Sequence, residues 1–372
     1  MKEPIRVLQV LGGTNLGGAE SRVMDSYRHM DRDKIQFDFC VHTEERGFFD
    51  EEIERLGGHV YRVPRFRVVN WVSYRKAWKD FFREHPGYRA VHGHMTSTAS
   101  IYLPVAKKAG VPLTIAHARS AGVDPGMKGR ITRLLRRNLG KKADLCLTCS
   151  KLAGEAVFGE KMARAGLVRT VPNAIDAAAF AYREEIRDKM RLQLQIPQDA
   201  FVIGHVGRFG HMKNHTFLLD VFEQVNKKLP SSMLLLVGEG GLQDMIKEKA
   251  AALGLADKVI FTGNQADVSD YYQAMDFFVF PSVFEGLPGT VIEAQASGLR
   301  CLVSDSVTPE VLITELAQAE PLSLGAGAWA ANVLERKEYV RNQMAQAIKA
   351  AGFDVSDQVK MLEKIYLQEN CQ

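Results

Sequence analysis

The sequence predicts an α/β protein built from two doubly wound parallel sheets, one in each of two domains that face an interdomain cleft. The chain has 372 residues, which is more than one hydrophobic core usually organises. Apolar, strand-like runs alternate with helical ones, stop at a charged stretch at 182–200, and then begin again. With 46% apolar and 25% charged residues, the composition is that of a folded globular protein.

The first half contains six apolar runs of strand length that are separated by helical stretches. These runs are 5–11, 37–41, 59–63, 90–94, 112–117 and 145–149. Strands that are almost wholly apolar and alternate with helices are typical of a parallel sheet with crossover helices. Residues 1–180 are therefore predicted to form a Rossmann-like domain.

The second half repeats the pattern. Its apolar runs are 201–206, 233–237, 258–262, 277–280 and 301–304. Residues 181–355 are predicted to form a second Rossmann-like domain, and the remaining 356–372 to contain a C-terminal helix. Because ligands bind beyond the carboxyl ends of strands in such sheets, we expect the functional residues in the loops that follow these runs.

The cysteines and the hydropathy place the protein in a reducing compartment. No apolar run approaches the ~18 residues that a membrane-spanning helix needs, so we expect a cytoplasmic protein. Five cysteines, an odd number, favour free thiols over a disulfide framework. Cys146 and Cys149 have the spacing of a metal or redox pair, but no second pair accompanies them, so we expect them to fill the core.

Positive charge is concentrated in the first half. Residues 1–180 carry 30 Lys and Arg against 19 Asp and Glu, whereas 181–372 carry 18 against 25. The segment 128–142 holds seven cations and no acid, and the segment 62–83 mixes cations with aromatic residues, as in proteins that lie on the inner face of an anionic membrane. The alternative is two solvated helices whose apolar faces pack inward. A nucleic-acid partner is not expected, because no recognised module is present.

A loop and helix with two glutamates follow the run 277–280, in the sequence P-S-V-F-E-G-L-P-G-T-V-I-E-A-Q-A-S-G. Pro288 fits the first turn of a helix and Gly298 its end, which places Glu285 in the loop and Glu293 inside the helix. The amides expected at the helix start are those of Gly286, Leu287 and Gly289. Such amides at a positive helix end suit sugar hydroxyls and phosphate oxygens.

A second candidate segment is 204–215, G-H-V-G-R-F-G-H-M-K-N-H, where a strand ends near Arg208 and a helix begins near Lys213. Breaking a sugar–phosphate bond leaves a diphosphate, and fixed cations stabilise its developing charge. Arg208 and Lys213 are the candidate cations.

The two glutamates in their E-G-L-P setting after P-S resemble the signature of retaining glycosyltransferase family 4, the glycosyl transferases group 1, which has the GT-B fold. The resemblance covers nearly the whole chain. Within the family, the chain resembles bacterial enzymes of capsule and exopolysaccharide synthesis. It implies that Glu285 binds the donor sugar near its reacting carbon and that Glu293 binds the ribose. Arg208 and Lys213 occupy the places of the family's Arg and Lys.

The resemblance extends into the first domain. G-G-T-N-L-G-G-A-E at 12–20 lacks the G-x-G-x-x-G spacing of a dinucleotide site. Gly17 and Gly18 instead match the family's glycine turn, where the backbone approaches the donor phosphates; a purely structural turn is the alternative. His117 matches a histidine near the sugar and acceptor, where a neutral imidazole could accept a proton or orient a hydroxyl. A structural histidine is the alternative there.

The resemblance also implies further positions of the interdomain segment and the donor site. V-P-N-A-I-D at 171–176 resembles the family's interdomain segment, with Ala174 in place of its glycine. Val268 lies where family members hold the nucleobase. Gly238 and Gly240 resemble a tight turn of the donor site, with a structural turn as the equal alternative.

No metal or other cofactor is expected, because cations and helix ends can stabilise the leaving group. His92 and His94 could ligate a metal, but no third ligand is evident, so we expect them to line the acceptor side. Asp31 and Asp33 have the D-x-D spacing of metal-dependent glycosyltransferases, but their charged surroundings favour a surface turn.

The resemblance implies a hexosyltransferase that moves a hexosyl or N-acetylhexosaminyl group, with retention, from a nucleotide-diphosphate sugar. The expected nucleotide is UDP, and the expected acceptor is a glycan or a polyprenyl-phosphate-linked glycan of cell-surface polysaccharide synthesis. The first domain would bind the acceptor, the second the donor, and the C-terminal helix would cross back to the first. The alternatives are an epimerase or phosphorylase of the same fold, and a non-catalytic nucleotide-sugar-binding protein.

Overall fold

The computed structural model describes residues 3–122 and 126–368, and it divides into two compact units. The first unit comprises the chain up to Ala174 together with the stretch from Val355 onward, and the second is Ile175–Asp354. The first boundary therefore falls inside the segment 171–176. Each unit contains its own sheet.

Within the described residues, the first unit is built on a seven-stranded parallel sheet. Its strands are β1 Ile5–Leu11, β2 Ile35–Val41, β3 Val60–Arg62, β4 Ala90–Gly93, β5 Leu113–Ala118, β6 Leu145–Thr148 and β7 Val168–Thr170. Their order in the sheet is β3-β2-β1-β4-β5-β6-β7, so the chain winds outward from β1 in both directions. The direction reverses between β1 and β4, which is the position where sheets of this kind bind ligands.

The helices of the first unit connect these strands and cover the sheet. They are α1 Gly18–His29, α2 Asp50–Arg55, α3 Trp71–Glu84, α4 Thr96–Lys108, α5 Met127–Arg136, α6 Lys151–Phe158 and α7 Glu160–Arg164. Aromatic side chains of α1 and β2 form much of the core: Tyr27, Phe37 and Phe39 are buried, with ring centroids 5.2 to 6.5 Å apart.

The second unit is built on a six-stranded parallel sheet in the order β10-β9-β8-β11-β12-β13. The strands are β8 Val202–Val206, β9 Met233–Val237, β10 Val259–Phe261, β11 Phe277–Phe280, β12 Arg300–Ser304 and β13 Ala317–Glu320. The helices are α8 Glu184–Gln193, α9 His215–Lys228, α10 Gln243–Ala252, α11 Ser269–Ala274, α12 Gly289–Ala296, α13 Gly325–Glu335 and α14 Ala345–Ala350. Here the reversal lies between β8 and β11.

The last helix, α15 Val355–Leu367, belongs to the first unit and packs against α1. Leu362 and Tyr366 are buried in the same core as Phe37, whose ring meets that of Tyr366 edge to face at 5.8 Å. The hydroxyl of Ser26 on α1 donates to Oε1 of Gln358 on α15, at 2.8 Å. This helix therefore contributes both apolar and polar contacts to the first sheet.

The predicted fold class is confirmed, and each apolar run identified in the sequence coincides with a strand. Two strands, β7 and β13, have no counterpart among the predicted apolar runs, and both lie at sheet edges. β7 has the sequence V-R-T and β13 the sequence A-Q-A-E, and neither contains a run of large apolar residues. An edge strand has one strand neighbour, so it needs less apolar surface than a central strand.

The two basic segments differ from their predicted form. In 128–142 the helix α5 ends at Arg136, because Asn138 adopts a left-handed φ of 70° before a short 3₁₀ turn. In 62–83 the interpretation of the aromatic residues as interfacial is wrong for most of them, because they lie on the inward face of α3. The buried rings are those of Tyr74, Trp78, Phe81 and Phe82.

Two short motifs that resemble metal sites are structural. The described cysteines are buried and free, as predicted, whereas Cys371 lies outside the described residues. Burial raises the pKa of Cys146 to about 11, which leaves the thiol protonated and unreactive. Asp31 and Asp33 lie in the turn between α1 and β2, where Asp31 is 2.7 Å from the ammonium of Lys34, so the predicted surface turn is confirmed.

Among the described residues, no helix has both the length and the apolar character needed to cross a membrane.

Gly298 ends α12 in a conformation that favours glycine. Its φ is +70°, its amide donates to the carbonyl of Gln295, and the next amide, of Leu299, donates to Ala294, which is the Schellman arrangement. A Cβ added to Gly298 would lie 2.4 Å from the carbonyl oxygen of Asn342. Both the backbone angle and the lack of space therefore require glycine at the end of the helix that carries Glu293.

We expect Gly298→Ala to destabilise the protein more than Gly254→Ala does. Gly254 ends α10 in the same arrangement with a φ of +71°, but a Cβ there meets no atom within 4 Å. Both variants place alanine in a left-handed conformation, at a cost of about 1 kcal/mol, and Gly298→Ala adds a backbone clash of about 1–3 kcal/mol. Urea denaturation measures the difference, and equal losses of unfolding free energy would contradict it.

Candidate active site

The loops that follow β8 and β11 in the second unit are joined to each other. These two strands are neighbours in the sheet, so both loops leave it at the same edge. The amide of Val283 donates to the carbonyl of Met212 at 2.9 Å, and Nδ2 of Asn214 donates to the carbonyl of Pro281 at 3.2 Å. The loops therefore form one surface beyond the strand ends.

An ion pair between Lys213 and Glu285 lies on this surface. Nζ of Lys213 is 2.9 Å from Oε1 of Glu285, and it also lies 4.4 Å from the ring centroid of Phe280. The side chains of Lys213 and Glu285 are 17% and 25% exposed, so each keeps a face open to a ligand. Arg208, two residues beyond β8, is exposed on the neighbouring part of the loop. The structure thus brings three predicted site residues to one sheet edge.

Glu293 lies deeper, on the second turn of α12, where it is 4% exposed. The hydroxyl of Tyr272 is 2.9 Å from Oε2 of Glu293 and 3.0 Å from the carbonyl oxygen of Thr290. The helix begins one residue later than predicted: Pro288 precedes it with an extended ψ of 113°, and Gly289 is its first residue. Sequence reasoning did not identify Tyr272, because nothing in its local sequence distinguishes it from a core tyrosine.

The residues at the start of α12 have different surroundings. Gly286 and Leu287 are buried, and Gly289 is partly exposed. Val268 is half-buried and directly precedes α11.

Gly238 and Gly240 form a turn that packs against the loop after β8. A Cβ on Gly238 would lie 2.4 Å from the carbonyl oxygen of Gly207, and one on Gly240 would lie 2.3 Å from that of Phe209. Gly238 also has a φ of +134° and donates its amide to Gly263 at 2.9 Å. These close contacts require glycine at both positions for structural reasons, whether or not a ligand binds there.

Two buried histidines lie beneath Lys213. His205 on β8 and His215 at the start of α9 have ring centroids 4.7 Å apart. Nδ1 of His205 is 2.9 Å from the carbonyl oxygen of Val279, so it carries the proton and donates. Burial lowers the pKa of both rings, with the charge of Lys213 adding to the effect, and the pKa of His215 falls to about 4. Both rings are therefore neutral near pH 7.

In the first unit, three buried imidazoles meet at the carboxyl ends of β4 and β5. One ring nitrogen from each of His92, His94 and His117 lies within 4.8 Å of the others. The expectation that His92 and His94 lack a third partner is wrong, because β4 and β5 are adjacent and bring His117 beside them. Burial lowers the pKa of all three well below the usual value, so they are neutral. The absence of a bound metal stays a prediction.

The glycine turn at the start of α1 encloses a carboxylate. Gly17 precedes the helix with an extended backbone, and Gly18 is its first residue. A Cβ on Gly17 would lie 2.4 Å from Oε2 of Glu20, whose carboxylate therefore folds back over the turn. Burial raises the pKa of Glu20, while its own backbone amide and Arg119 oppose the increase.

Two family models match the chain. "Glycosyl transferases group 1" matches residues 186–350, and "Glycosyl transferase 4-like domain" matches residues 17–174. A Bacillus subtilis (strain 168) protein named "Putative glycosyltransferase EpsF" is 34% identical over 97% of this chain and 96% of its own length. The chain belongs to the glycosyl transferases group 1. It is therefore a glycosyltransferase of the hexosyltransferase type, and the predicted family is confirmed.

Two further similarities place this glycosyltransferase among known proteins. It is 27% identical, over 73% of its chain and 72% of the relative, to an Escherichia coli enzyme named UDP-Gal:alpha-D-GlcNAc-diphosphoundecaprenol alpha-1,3-galactosyltransferase. Its fold is similar to that in the crystal structure of the Anabaena protein HepE in complex with UDP and glucose. The match covers 98% of this chain and 100% of the HepE chain, with a TM-score of 0.80 and 19% identity. That likeness confirms the GT-B fold.

We expect the stability of the glycosyltransferase to fall below pH 6.5, partly through His215. The pKa of this ring is about 4 in the folded chain against an ordinary 6.5, so the unfolded chain binds a proton more readily and acid favours unfolding. His215→Phe keeps a ring stacked on Phe209, at present 4.1 Å from His215, and removes the titrating group. The loss of unfolding free energy between about pH 7 and about pH 5 should shrink by about 2 kcal/mol.

Urea denaturation at the two pH values measures this loss. The control is His211→Phe, which replaces an exposed histidine in the loop after β8. An identical pH dependence in wild type and His215→Phe would contradict the assignment.

Proposed function

We propose that the chain transfers a hexosyl or N-acetylhexosaminyl group, with retention, from a UDP-sugar to a polyprenyl-diphosphate-linked glycan. The observation that carries the proposal is the ion pair of Lys213 and Glu285, at the edge where β8 and β11 end. Arg208 is exposed on the same loop as Lys213. A carboxylate and two cations at one site match the two parts of the donor, the sugar hydroxyls and the diphosphate.

In the proposed reaction, the bond between the anomeric carbon and the diphosphate oxygen breaks, and the electron pair leaves with the diphosphate. The oxygen of an acceptor hydroxyl bonds to the anomeric carbon, and its proton passes to the departing diphosphate. Lys213 and Arg208 stabilise this charge, which is greater in the transition state than in the donor. Glu285 accepts hydrogen bonds from the sugar hydroxyls and fixes the position of the Lys213 ammonium through the 2.9 Å pair. The retained configuration rests on the family resemblance.

Glu293 is assigned to the ribose hydroxyls. Because it is almost fully buried, its orientation is held by the Tyr272 hydroxyl at 2.9 Å, and a fixed carboxylate is suited to two adjacent hydroxyls. Val268, at the start of α11, is assigned to the uracil base. Support for UDP comes from HepE, whose solved complex contains UDP and glucose and whose fold the chain shares.

We further propose that transfer needs no metal ion. Fixed side-chain cations and the amides at the N-terminus of α12 can stabilise the diphosphate directly. The two glutamates of the candidate site have partners within the protein, Lys213 for Glu285 and Tyr272 for Glu293. The turn with Asp31 and Asp33 belongs to the other unit.

The acceptor is proposed to be lipid-linked, as in the name of the Escherichia coli relative. The first unit carries exposed apolar residues among cations. This combination suits an acceptor that has both a lipid and a phosphate. Val69 is 93% exposed and Val72 is 80% exposed, between Arg65, Arg67 and Arg75. On α5, Met127 and Leu134 are each 68% exposed on a helix rich in Arg and Lys. We propose that these surfaces contact an anionic membrane.

We expect Glu285→Gln to reduce sugar transfer by at least 100-fold while UDP binding persists. The change removes the negative charge and one acceptor from the sugar site, at a cost of about 3 kcal/mol in the transition state. Transfer is measured as release of UDP together with an elongated lipid-linked acceptor, with and without EDTA, and wild type should be active in both.

The matched control for this experiment is Glu223→Gln. Glu223 is 23% exposed and lies 2.7 Å from Lys227, so its burial and lysine partner resemble those of Glu285, but it lies on α9 away from the loops. A fully active Glu285→Gln would overturn the mechanism. Conversion of the UDP-sugar to an isomer without UDP release would favour the epimerase alternative, and UDP-sugar binding without any turnover would favour a binding protein.

We expect Val72→Asp to weaken binding to vesicles that contain anionic lipid. The control, Val340→Asp, replaces a valine of the second unit that is also 80% exposed, so neither change disturbs a core. Co-sedimentation should show wild type and Val340→Asp bound to anionic but not to neutral vesicles, at low ionic strength. Absence of wild type from both kinds of vesicle would exclude the membrane contact.

A further inference from the structure

The short helix α11 carries Tyr272, whose hydroxyl contacts Glu293 of the candidate site at 2.9 Å. This helix has six residues, Ser269–Ala274. A helix of this length leaves most of its carbonyl groups without partners inside the helix, and it is not stable by itself. The position of the Tyr272 hydroxyl therefore depends on the contacts that hold the end of α11.

The guanidinium of Arg341 supplies three of these contacts. Nη2 donates to the carbonyl oxygen of Tyr272 at 2.8 Å, and Nη1 donates to those of Gln273 and Met275 at 3.0 and 2.9 Å. Nη1 carries two hydrogens, so it can donate to both oxygens at once. Arg341 thus holds the backbone of the same residue whose hydroxyl contacts Glu293.

A second arginine, Arg191, contacts the remaining carbonyl at the end of α11. It is fully buried, and its Nε donates to the carbonyl oxygen of Ala274 at 3.1 Å. The four consecutive carbonyls of residues 272–275 therefore all accept from a guanidinium, and cations at this end of a helix also interact favourably with its dipole. The other hydrogen bonds of Arg191 go to the stretch 197–200 and to Asp276. Arg341 differs from Arg191 in also contacting α12.

The third nitrogen of Arg341 contacts the end of α12. Nε donates to the carbonyl oxygen of Ser297 at 2.6 Å, and Ser297 directly follows the last residue of this helix. Because a guanidinium is planar and its nitrogens have fixed relative positions, it sets the ends of α11 and α12 relative to each other. The ring of Tyr182 packs on the guanidinium, with its centroid 4.2 Å from Cζ of Arg341.

Gly298 leaves the space in which Arg341 approaches α12. Arg341 lies in the stretch 336–344, between α13 and α14. A Cβ on Gly298 would lie 3.1 Å from Cγ of Arg341 and 2.4 Å from the carbonyl oxygen of Asn342. The glycine that ends α12 is therefore also the residue that lets this stretch pack against the helix end.

We infer that Arg341 is a positioning residue of the donor site, which holds α11 against α12 so that the Tyr272 hydroxyl keeps the Glu293 carboxylate in place for its ligand. The two helices are joined at two levels, by Arg341 at their ends and by the contact between Tyr272 and Glu293. A carboxylate that accepts from two adjacent hydroxyls tolerates little displacement. That these hydroxyls belong to a ribose rests on the proposed function.

Arg341 acts on the ligand through other residues. The helix α12 begins at the candidate site, and Arg341 contacts its opposite end. Its four hydrogen bonds to backbone carbonyls use four of its five hydrogens. A purely structural role would change the affinity for all nucleotides alike. Positioning of Glu293 instead changes the affinity only for nucleotides that have the hydroxyls it binds.

Binding of UDP and of 2′-deoxy-UDP to the full-length protein, measured by isothermal titration calorimetry, tests the inference. 2′-Deoxy-UDP lacks one of the two hydroxyls assigned to Glu293, so we expect wild type to prefer UDP by about 30-fold. In Arg341→Gln the preference should fall to about threefold, because UDP loses more affinity than 2′-deoxy-UDP does. A ratio of two affinities does not depend on how much of the protein is folded. An unchanged ratio in Arg341→Gln would refute the inference.

Arg341→Lys is a milder variant. The ammonium keeps the charge and three hydrogens but lacks the planar arrangement that contacts both helices, so we expect a preference of about tenfold. Should Arg341→Gln fail to fold, a wild-type ratio in Arg341→Lys would count against the inference.

The matched control is Arg336→Gln. Like Arg341, Arg336 is partly buried, lies over an aromatic ring and donates to a backbone carbonyl. The ring is that of Phe277, with its centroid 5.8 Å away, and the carbonyl is that of Leu316, at 3.0 Å. Neither α11 nor α12 is involved, so the preference for UDP should stay at the wild-type value even if urea denaturation shows a loss of stability. An equal fall in both variants would contradict the positioning role.

Tyr272→Phe removes the hydroxyl through which Arg341 is inferred to act. Its preference for UDP should also be about threefold, and the double variant with Arg341→Gln should show no further fall, since both changes break the same connection. A lower ratio in the double variant would show that Arg341 acts by another route.

Failure of the inference and failure of the proposed function give different results. Equal binding of the two nucleotides by wild type would refute the assignment of Glu293 to the ribose, and the inference with it. A wild type that prefers UDP, together with an Arg341→Gln that has the same preference, would refute the inference alone.

Discussion

The parallel sheet decides which residues of this protein meet. In each unit every strand points the same way, so the loops that follow the strands leave at one edge, however far apart they are in the chain. The pairing of β8 with β11 puts Lys213 beside Glu285, and the order β1-β4-β5 puts Gln9, His94 and His117 together. The candidate site and the cluster of His92, His94 and His117 both follow from strand order.

Placing polar groups at a sheet edge costs desolvation free energy, and the two units limit this cost in different ways. The second unit uses opposite charges that remain partly exposed, Lys213 and Glu285, so desolvation is incomplete and a ligand can compete for the pair. The first unit uses neutral groups that are almost fully buried, among them His92, His117 and Tyr366. Buried neutral groups still need hydrogen-bond partners, and the Tyr366 hydroxyl supplies one to Nδ1 of His92 at 2.6 Å.

Much of the fold could be predicted because central strands need continuous apolar sequence, as in the M-L-L-L-V of β9. The edge strand β13, A-Q-A-E, has no such need and gives no signal. The same limit applies to Tyr74 and Trp78, whose sequence suits a membrane surface as well as a core, and only the packing of α3 decides between them. Glu285 and Glu293 were identified because a motif holds them at fixed spacing, whereas Tyr272, which orients Glu293, lies on another helix.

His117 shows where prediction from sequence ends. Its residue type and its place at the end of an apolar run indicate a ligand contact, but the structure buries it fully beside His92 and His94. Tyr366 is near the end of the chain and Gln9 near its beginning, and they meet only because α15 packs on the sheet of the first unit. Burial lowers the pKa of His92 and of His117 well below the usual value, so both rings are neutral. The charge of a buried histidine can therefore be decided by residues that no local pattern connects to it.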